Sequence, residues 1–207
     1  MLPKLILYLI LGGATLGLQL GFGYPVESLM FLPSWSSESL SLDLIYGLGI
    51  GIGLVALSRM SVQHFSWGKQ LDIEFRTVLG PLSRRDIFLL ALLSSLTEEL
   101  FFRGFLQPIL GLHYAAIIFG LAHFPYRAFL VPWTLTALGV GYLFGWVFDA
   151  RHCLVAPIVA HFVVNYFNLH YILRPRADEQ LSGPPQARRS QFGQPHGAGW
   201  ARDDDQT

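Results

Sequence analysis

Six apolar stretches, at about residues 5–23, 40–57, 87–107, 111–124, 130–148 and 153–173, constrain this chain more than any other feature. A bilayer core about 30 Å thick is crossed by roughly 20 apolar residues in a helix, and each stretch approaches that requirement. No water is present at that depth to satisfy backbone groups, so such segments fold as helices. Together they predict an all-α, polytopic membrane helix bundle of about six transmembrane helices. The composition agrees, with 52% of the 207 residues hydrophobic and only 14% charged, far from an average soluble domain. The fourth stretch is short, and Pro125 and Pro132 follow it. A helix broken there, or one carried past Pro125 with a kink, is expected. The run after Lys4 is too long for a secretory signal and lacks a small-residue cleavage site, so it reads as the first span.

Basic residues set the orientation, because lysine and arginine are retained on the cytoplasmic side. The segment 24–39 holds Glu27 and Glu38 but no lysine or arginine, whereas 58–86 holds Arg59, Lys69, Arg76, Arg84 and Arg85. Alternation then places Arg127, Arg174 and Arg176 inside and Arg151 outside, with both termini cytoplasmic. Within 58–86, "FSWGKQLDIEF" mixes aromatic and charged residues and is expected to form a helix lying in the interface. Residues 1–173 form the membrane domain. The remainder, 174–207, rich in proline, glycine and charge, is expected to be a disordered cytoplasmic tail.

The formal net charge is zero, which removes the bulk basic character that nucleic-acid binding needs. A single cysteine, Cys153, excludes an internal disulfide and a thiolate zinc cage. Glycines recur at four-residue spacing, as Gly13, Gly17 and Gly21, then Gly47 and Gly51 or Gly49 and Gly53, then Gly141 and Gly145. Such spacing lets helix backbones approach closely, so these are read as packing seams.

Ionisable groups at membrane depth are costly, and each is a functional candidate. "SLTEELFFRGF" (95–105) sets Glu98, Glu99 and Arg103 inside an apolar run. Glu99 and Arg103 are four apart with the carboxylate N-terminal, the favourable order for a helical ion pair. Glu98 lies about 100° around the helix from Glu99 and must find its partner on another helix. His123 and His161 are the candidates, and Asn165 lies one turn beyond His161 on the same face. One carboxylate, two imidazoles and an amide would supply a general base, groups that tune it and an oxyanion donor. Glu98, His123 and His161 would equally form a three-ligand zinc set with one position open. Ser94 and Ser95 have no histidine at helical spacing, so a serine nucleophile is a weak alternative. Asp149 and His152 are assigned to an external turn, and His113 and His170 to interfaces.

At these residues the sequence resembles the CAAX-protease and bacteriocin-processing (CPBP, or Abi) family of intramembrane proteases. Its three linked motifs read here "EELFFR" (Glu98 to Arg103), "FGLAH" (Phe119 to His123) and "HFVVN" (His161 to Asn165), over about residues 87–170. The resemblance implies an endopeptidase acting on a membrane-associated peptide or protein substrate, of the CAAX-prenyl-protease type or the C-terminal-anchor and bacteriocin type. It implies that Glu98 activates water, helped by His123 and His161, that Asn165 stabilises the oxyanion, and that Glu99, Arg103 and Phe119 support the site. It places a metal-free glutamate mechanism, with no cofactor, ahead of zinc, and the chain in a bacterial plasma membrane. A silent immunity or scaffold protein of the same fold, or a proton-coupled transporter, would use the same polar groups differently. The transporter is disfavoured by the lack of a clear internal repeat. In a straight-helix layout His123 lies nearer the cytoplasmic end than Glu98 and His161. A longer or tilted fourth helix, or an aqueous cavity, is expected to close that gap.

Overall fold

The computed structural model describes residues 2–22, 37–124 and 130–174. Among them there is no strand, and the helices follow the apolar stretches: α1 Leu2–Gly21, α2 Ser37–His64, α3 Ser66–Leu79 and α4 Arg84–Glu99. A π-helical stretch, Leu100–Leu106, then leads into α5 Gln107–Ala122, followed by α6 Val131–Arg151 and α7 Val155–Ile172. The predicted tail lies outside the described residues apart from Arg174, as do Pro125 and Arg127.

Glu38–His64, Arg84–Ala122 and Val131–Arg151 are long and apolar enough to cross a membrane, and Leu5–Gly21 is a shorter apolar helix. The surface is inverted relative to a water-soluble bundle. Ile10, Ile52, Leu135 and Trp146 are exposed, while Thr15, Gln19, Asp43, Ser94, Ser95, Glu99, Arg103, Gln107 and His161 are buried. Apolar side chains outside and hydrogen-bonded polar ones inside suit a hydrocarbon solvent. The chain is therefore a polytopic helical membrane protein.

The segment after Arg59 is helical, as expected. α2 continues to His64, and α3 carries the "SWGKQLDIEF" part of the stretch. α4 begins at a capping box, in which the Ser83 hydroxyl accepts from the Asp86 N–H at 3.1 Å and Asp86 Oδ2 accepts from the Ser83 N–H at 3.2 Å.

Arg84–Ala122 is not one rod. Gly111, with φ 82° and ψ 166°, breaks α5 in a conformation that glycine tolerates and other residues rarely do. The two arms fold back on each other, with the Phe102 and Phe119 rings 4.9 Å apart. At 1.5 Å per residue, Glu98 lies about 20 Å before this turn and His123 about 18 Å after it. The two side chains therefore stand at one level. This corrects the straight-helix layout: α5 stops at Ala122, short of Pro125, and the reversal at Gly111 brings His123 level with Glu98.

The glycine seams are confirmed in part. A Cβ on Gly47 would stand 2.7 Å from the Ala156 carbonyl and Val159 Cβ, and one on Gly51 2.7 Å from Val163 Cβ, so α2 packs backbone-close on α7 there. Gly141 meets Ala116 and Phe119, and Gly145 meets Leu112 and Gln107. Gly13, Gly17, Gly21, Gly49 and Gly53 face open space, and the close contact of α1 is made at Gly12 instead. Gly51→Val is thus expected to cost about 1–3 kcal/mol by overpacking, whereas Gly53→Val, which meets nothing within 4 Å, leaves stability unchanged. Thermal unfolding of the two variants in detergent separates them.

Candidate active site

The site grows from an irregularity in the helix that carries it. Pro108 has no N–H, so the carbonyl four residues earlier, at Gly104, lacks its α-helical donor, and the proline ring crowds that carbonyl. The chain responds by widening over Leu100–Leu106, where the Gln107 N–H reaches the Phe102 carbonyl five residues back. The stranded Gly104 carbonyl accepts instead from Gln19 Nε2 on α1 at 2.9 Å. A side chain some 85 positions away thus completes the helix.

Glu99 and Arg103 sit at the start of this stretch. Arg103 Nη1 donates to Glu99 Oε1 at 3.0 Å, and Nη2 donates to the Gly141 carbonyl on α6, also at 3.0 Å. The guanidinium lies over the Phe119 ring, 4.6 Å from its centroid, and near Phe144 at 5.5 Å. Arg103 is 1% exposed and Glu99 is fully buried, so each charge depends on its partner. Glu99 also makes a contact that helix geometry alone does not foretell, since its Oε1 lies 2.7 Å from His161 Nδ1. That contact fixes the ring of α7 against α4.

The two imidazoles are oriented alike. His123 Nδ1 lies 2.7 Å from the Phe119 carbonyl, which is an acceptor, so Nδ1 carries the proton. The same holds for His161 Nδ1 against the Glu99 carboxylate. In the neutral rings both Nε2 atoms therefore present lone pairs. Both stand 3.9 Å from Glu98 Oε2, and that oxygen is buried with no hydrogen-bond partner. Three acceptors converge beyond direct hydrogen-bonding distance. The species that satisfies such a point brings protons or positive charge to it, a water molecule or a cation.

Asn165 stands one turn after His161 and donates from Nδ2 to Ser94 Oγ at 2.9 Å, and Ser94 in turn donates to the Ala91 carbonyl at 3.2 Å. Ser94 is thus an anchor for the amide. Phe119 is buried, and its ring centre lies 4.5 Å from that of His123 and 6.3 Å from that of His161.

Glu98, Glu99, Arg103, Phe119, His123, His161 and Asn165 are thus gathered from α4, the π-helical stretch, α5 and α7. Asp149 is not in a turn: it belongs to the last turns of α6 and accepts from Gln107 Nε2 at 2.7 Å, while His152 caps that helix with φ 49°. His113 Nδ1 pairs with the Tyr142 hydroxyl at 3.3 Å, and His170 Nδ1 with the Tyr166 carbonyl at 3.0 Å. Cys153 is buried, and burial pushes its thiol above the usual range, which suits an inert packing residue. Gln19, which reaches the Gly104 carbonyl, is a supporting residue that sequence reasoning misses, since nothing in the sequence links α1 to residue 104.

Fold and site together define a helical membrane protein that holds a carboxylate and two oriented imidazoles within its bundle. Residues 81–167 match the family model described as Rce1-like, type II CAAX prenyl endopeptidase. That segment contains all three motifs. The chain is also 28% identical over 145 residues to the uncharacterized protein YpbD of Bacillus subtilis (strain 168), covering 66% of this chain and 75% of the relative. No solved structure matches.

Proposed function

We propose that the chain is an intramembrane endopeptidase in which Glu98 acts as the general base on a water held among Glu98, His123 and His161. The observation that carries this reading is the convergence of Glu98 Oε2 and the two Nε2 atoms, each 3.9 Å from it. The Glu98 carboxylate takes a proton from the water, and the oxygen bonds to the scissile carbonyl carbon. The carbonyl oxygen becomes an oxyanion, to which the Asn165 amide donates. The proton held on Glu98 passes to the departing nitrogen as the C–N bond breaks, leaving an acid and an amine. The substrate is a membrane-associated peptide or protein, with CAAX-type or C-terminal-anchor processing the two classes that fit. The membrane is a bacterial plasma membrane, with both termini cytoplasmic.

The donor types at this point suit zinc, with Glu98, His123 and His161 as ligands, but their spacing does not. Tetrahedral ligands about 2.1 Å from an ion stand about 3.4 Å apart, closer than the 3.9 Å that separates Glu98 Oε2 from each Nε2. That difference in spacing supports water as the species held there. Pre-treatment with 1,10-phenanthroline is expected to leave the cleavage rate unchanged; a loss restored by added zinc would replace the bare base by a metal.

The test uses purified full-length protein in proteoliposomes with two probes, a farnesylated C-a-a-X peptide and a single-span reporter protein. Cleavage of either by the wild type, lost in Glu98→Gln, supports the reading. No cleavage of either probe, or equal cleavage by Glu98→Gln, overturns it.

A further inference from the structure

We propose that Trp133 of α6 is a specificity-determining residue of the site, an indole wall that limits the size of the substrate side chain beside the scissile bond, and that Phe75 of α3 holds this wall in place. The inference rests on the protease reading above and adds what the same site selects.

The three groups that meet at Glu98 Oε2 are not equally covered. The side chain of His123 is 24% exposed, that of Glu98 13% and that of His161 8%. His161 is also flanked by the rings of Phe119 and Phe144, 6.3 and 5.7 Å away. A substrate therefore reaches the carboxylate past His123.

Trp133 stands on that approach. It is half-buried, its ring centre is 5.8 Å from that of His123, and the two planes cross at 71°. An edge-to-face pair at this separation is in contact, so no peptide side chain fits between the rings. Thr134, the next residue, donates from Oγ1 to the His123 carbonyl at 3.3 Å, which fastens the first turn of α6 to the end of α5. The indole is also backed, because the Phe75 ring lies 5.8 Å from it at 83°.

The pattern of α3 explains why Phe75 is there. Gly68, Asp72, Phe75 and Leu79 recur at spacings of four, three and four, one stripe of a helix. Gly68 and Asp72 are buried, whereas Ile73 and Val78 on the other face are exposed. A Cβ on Gly68 would collide with the Ser61 carbonyl, so α3 folds back tightly on the end of α2, and it packs on α7 as well. From this seat Phe75 reaches α6. Held between His123 and Phe75, the indole cannot swing aside, and the space it leaves next to His123 has a fixed width. An aliphatic side chain can lie along the indole, whereas an aromatic one must displace it.

The test uses full-length protein in proteoliposomes and whichever of the two probes above is cleaved, made with valine or phenylalanine as the residue that supplies the departing nitrogen. Wild type is expected to prefer valine. Trp133→Ala raises the phenylalanine-to-valine ratio of kcat/KM about tenfold or more, the scale on which apolar pockets discriminate by size. Phe75→Ala, which frees the indole to move, shifts the ratio the same way by less. Trp146→Ala removes an exposed indole of the same helix and leaves the ratio unchanged. Should Trp133→Ala not fold, Trp133→Phe is read in its place, with a smaller rise. Independently of cleavage, the emission of Trp133 is followed in Glu98→Gln protein whose Trp35, Trp67, Trp146 and Trp200 are replaced by phenylalanine, and it shifts when the valine probe is added. A wild-type ratio in the Trp133 variant, or an emission that does not shift, overturns the inference while the protease reading stands. A wild type that cleaves neither probe, or an active Glu98→Gln, overturns the protease reading, and the emission alone then decides whether Trp133 meets the peptide.

Discussion

Glu98→Gln is expected to lower the cleavage rate about 10³- to 10⁴-fold while the protein purifies and unfolds like the wild type. The amide is nearly isosteric with the carboxylate, so packing around residue 98 changes little. What is lost is the acceptor that takes a proton from water, and a positioned general base contributes about 10²- to 10⁴-fold. The upper part of that range is expected because the same group also returns the proton to the departing nitrogen. Glu99→Gln acts by another route. Its Oε1 remains an acceptor for His161 Nδ1 and Arg103 Nη1, so the loss there appears first in stability and only secondarily in rate. Single-turnover cleavage of the same reporter, beside thermal unfolding, distinguishes the two carboxylates. If Glu98→Gln keeps more than a tenth of wild-type activity, a glutamate base at this position is ruled out.

The helices and the divergence of the two glutamates are legible in the sequence because both follow from local geometry. A 20-residue apolar run has one solution in a bilayer, and adjacent residues on a helix point about 100° apart. That is why Glu98 and Glu99 face different neighbours, with Glu98 Oε2 toward His123 and His161 and Glu99 on Arg103. The pairing of Glu99 with His161 is not legible, since the residues are 62 apart and the choice between two adjacent carboxylates depends on the axial register of α7 against α4. The level of His123 turns on one backbone angle. Gly111 carries the signal, as a glycine midway between the EELFFR and FGLAH motifs, but its positive φ is visible only in the fold. Pro108 likewise announces a disturbed helix. That it widens the helix over seven residues, with Gln19 supplying the missing donor, depends on how α1 packs.

Arg103→Met is expected to destabilise the bundle by about 3–5 kcal/mol, the cost of removing one member of a buried ion pair, and to be seen as aggregation or a lowered unfolding midpoint in detergent. The size follows from what remains. Glu99, fully buried, would keep His161 as its one hydrogen-bonding partner, and the Gly141 carbonyl would lose its side-chain donor. The aromatic pocket of Phe119 and Phe144 would then face a thioether chain instead of a cation. Arg103→Lys keeps the charge but cannot span Glu99 and the Gly141 carbonyl with one planar group, so it falls between wild type and methionine. The decisive comparison is the double variant Glu99→Gln with Arg103→Met. With the orphaned charge removed, it recovers part of the stability lost in Arg103→Met alone, because much of that loss is an unpaired carboxylate and not missing contacts. Arg103→Met with a wild-type midpoint would show that Glu99 is not ionised in the folded protein, and the electrostatic account of this part of the site would fail. A double variant no better than the single would move the cost to lost packing against Phe119 and Gly141.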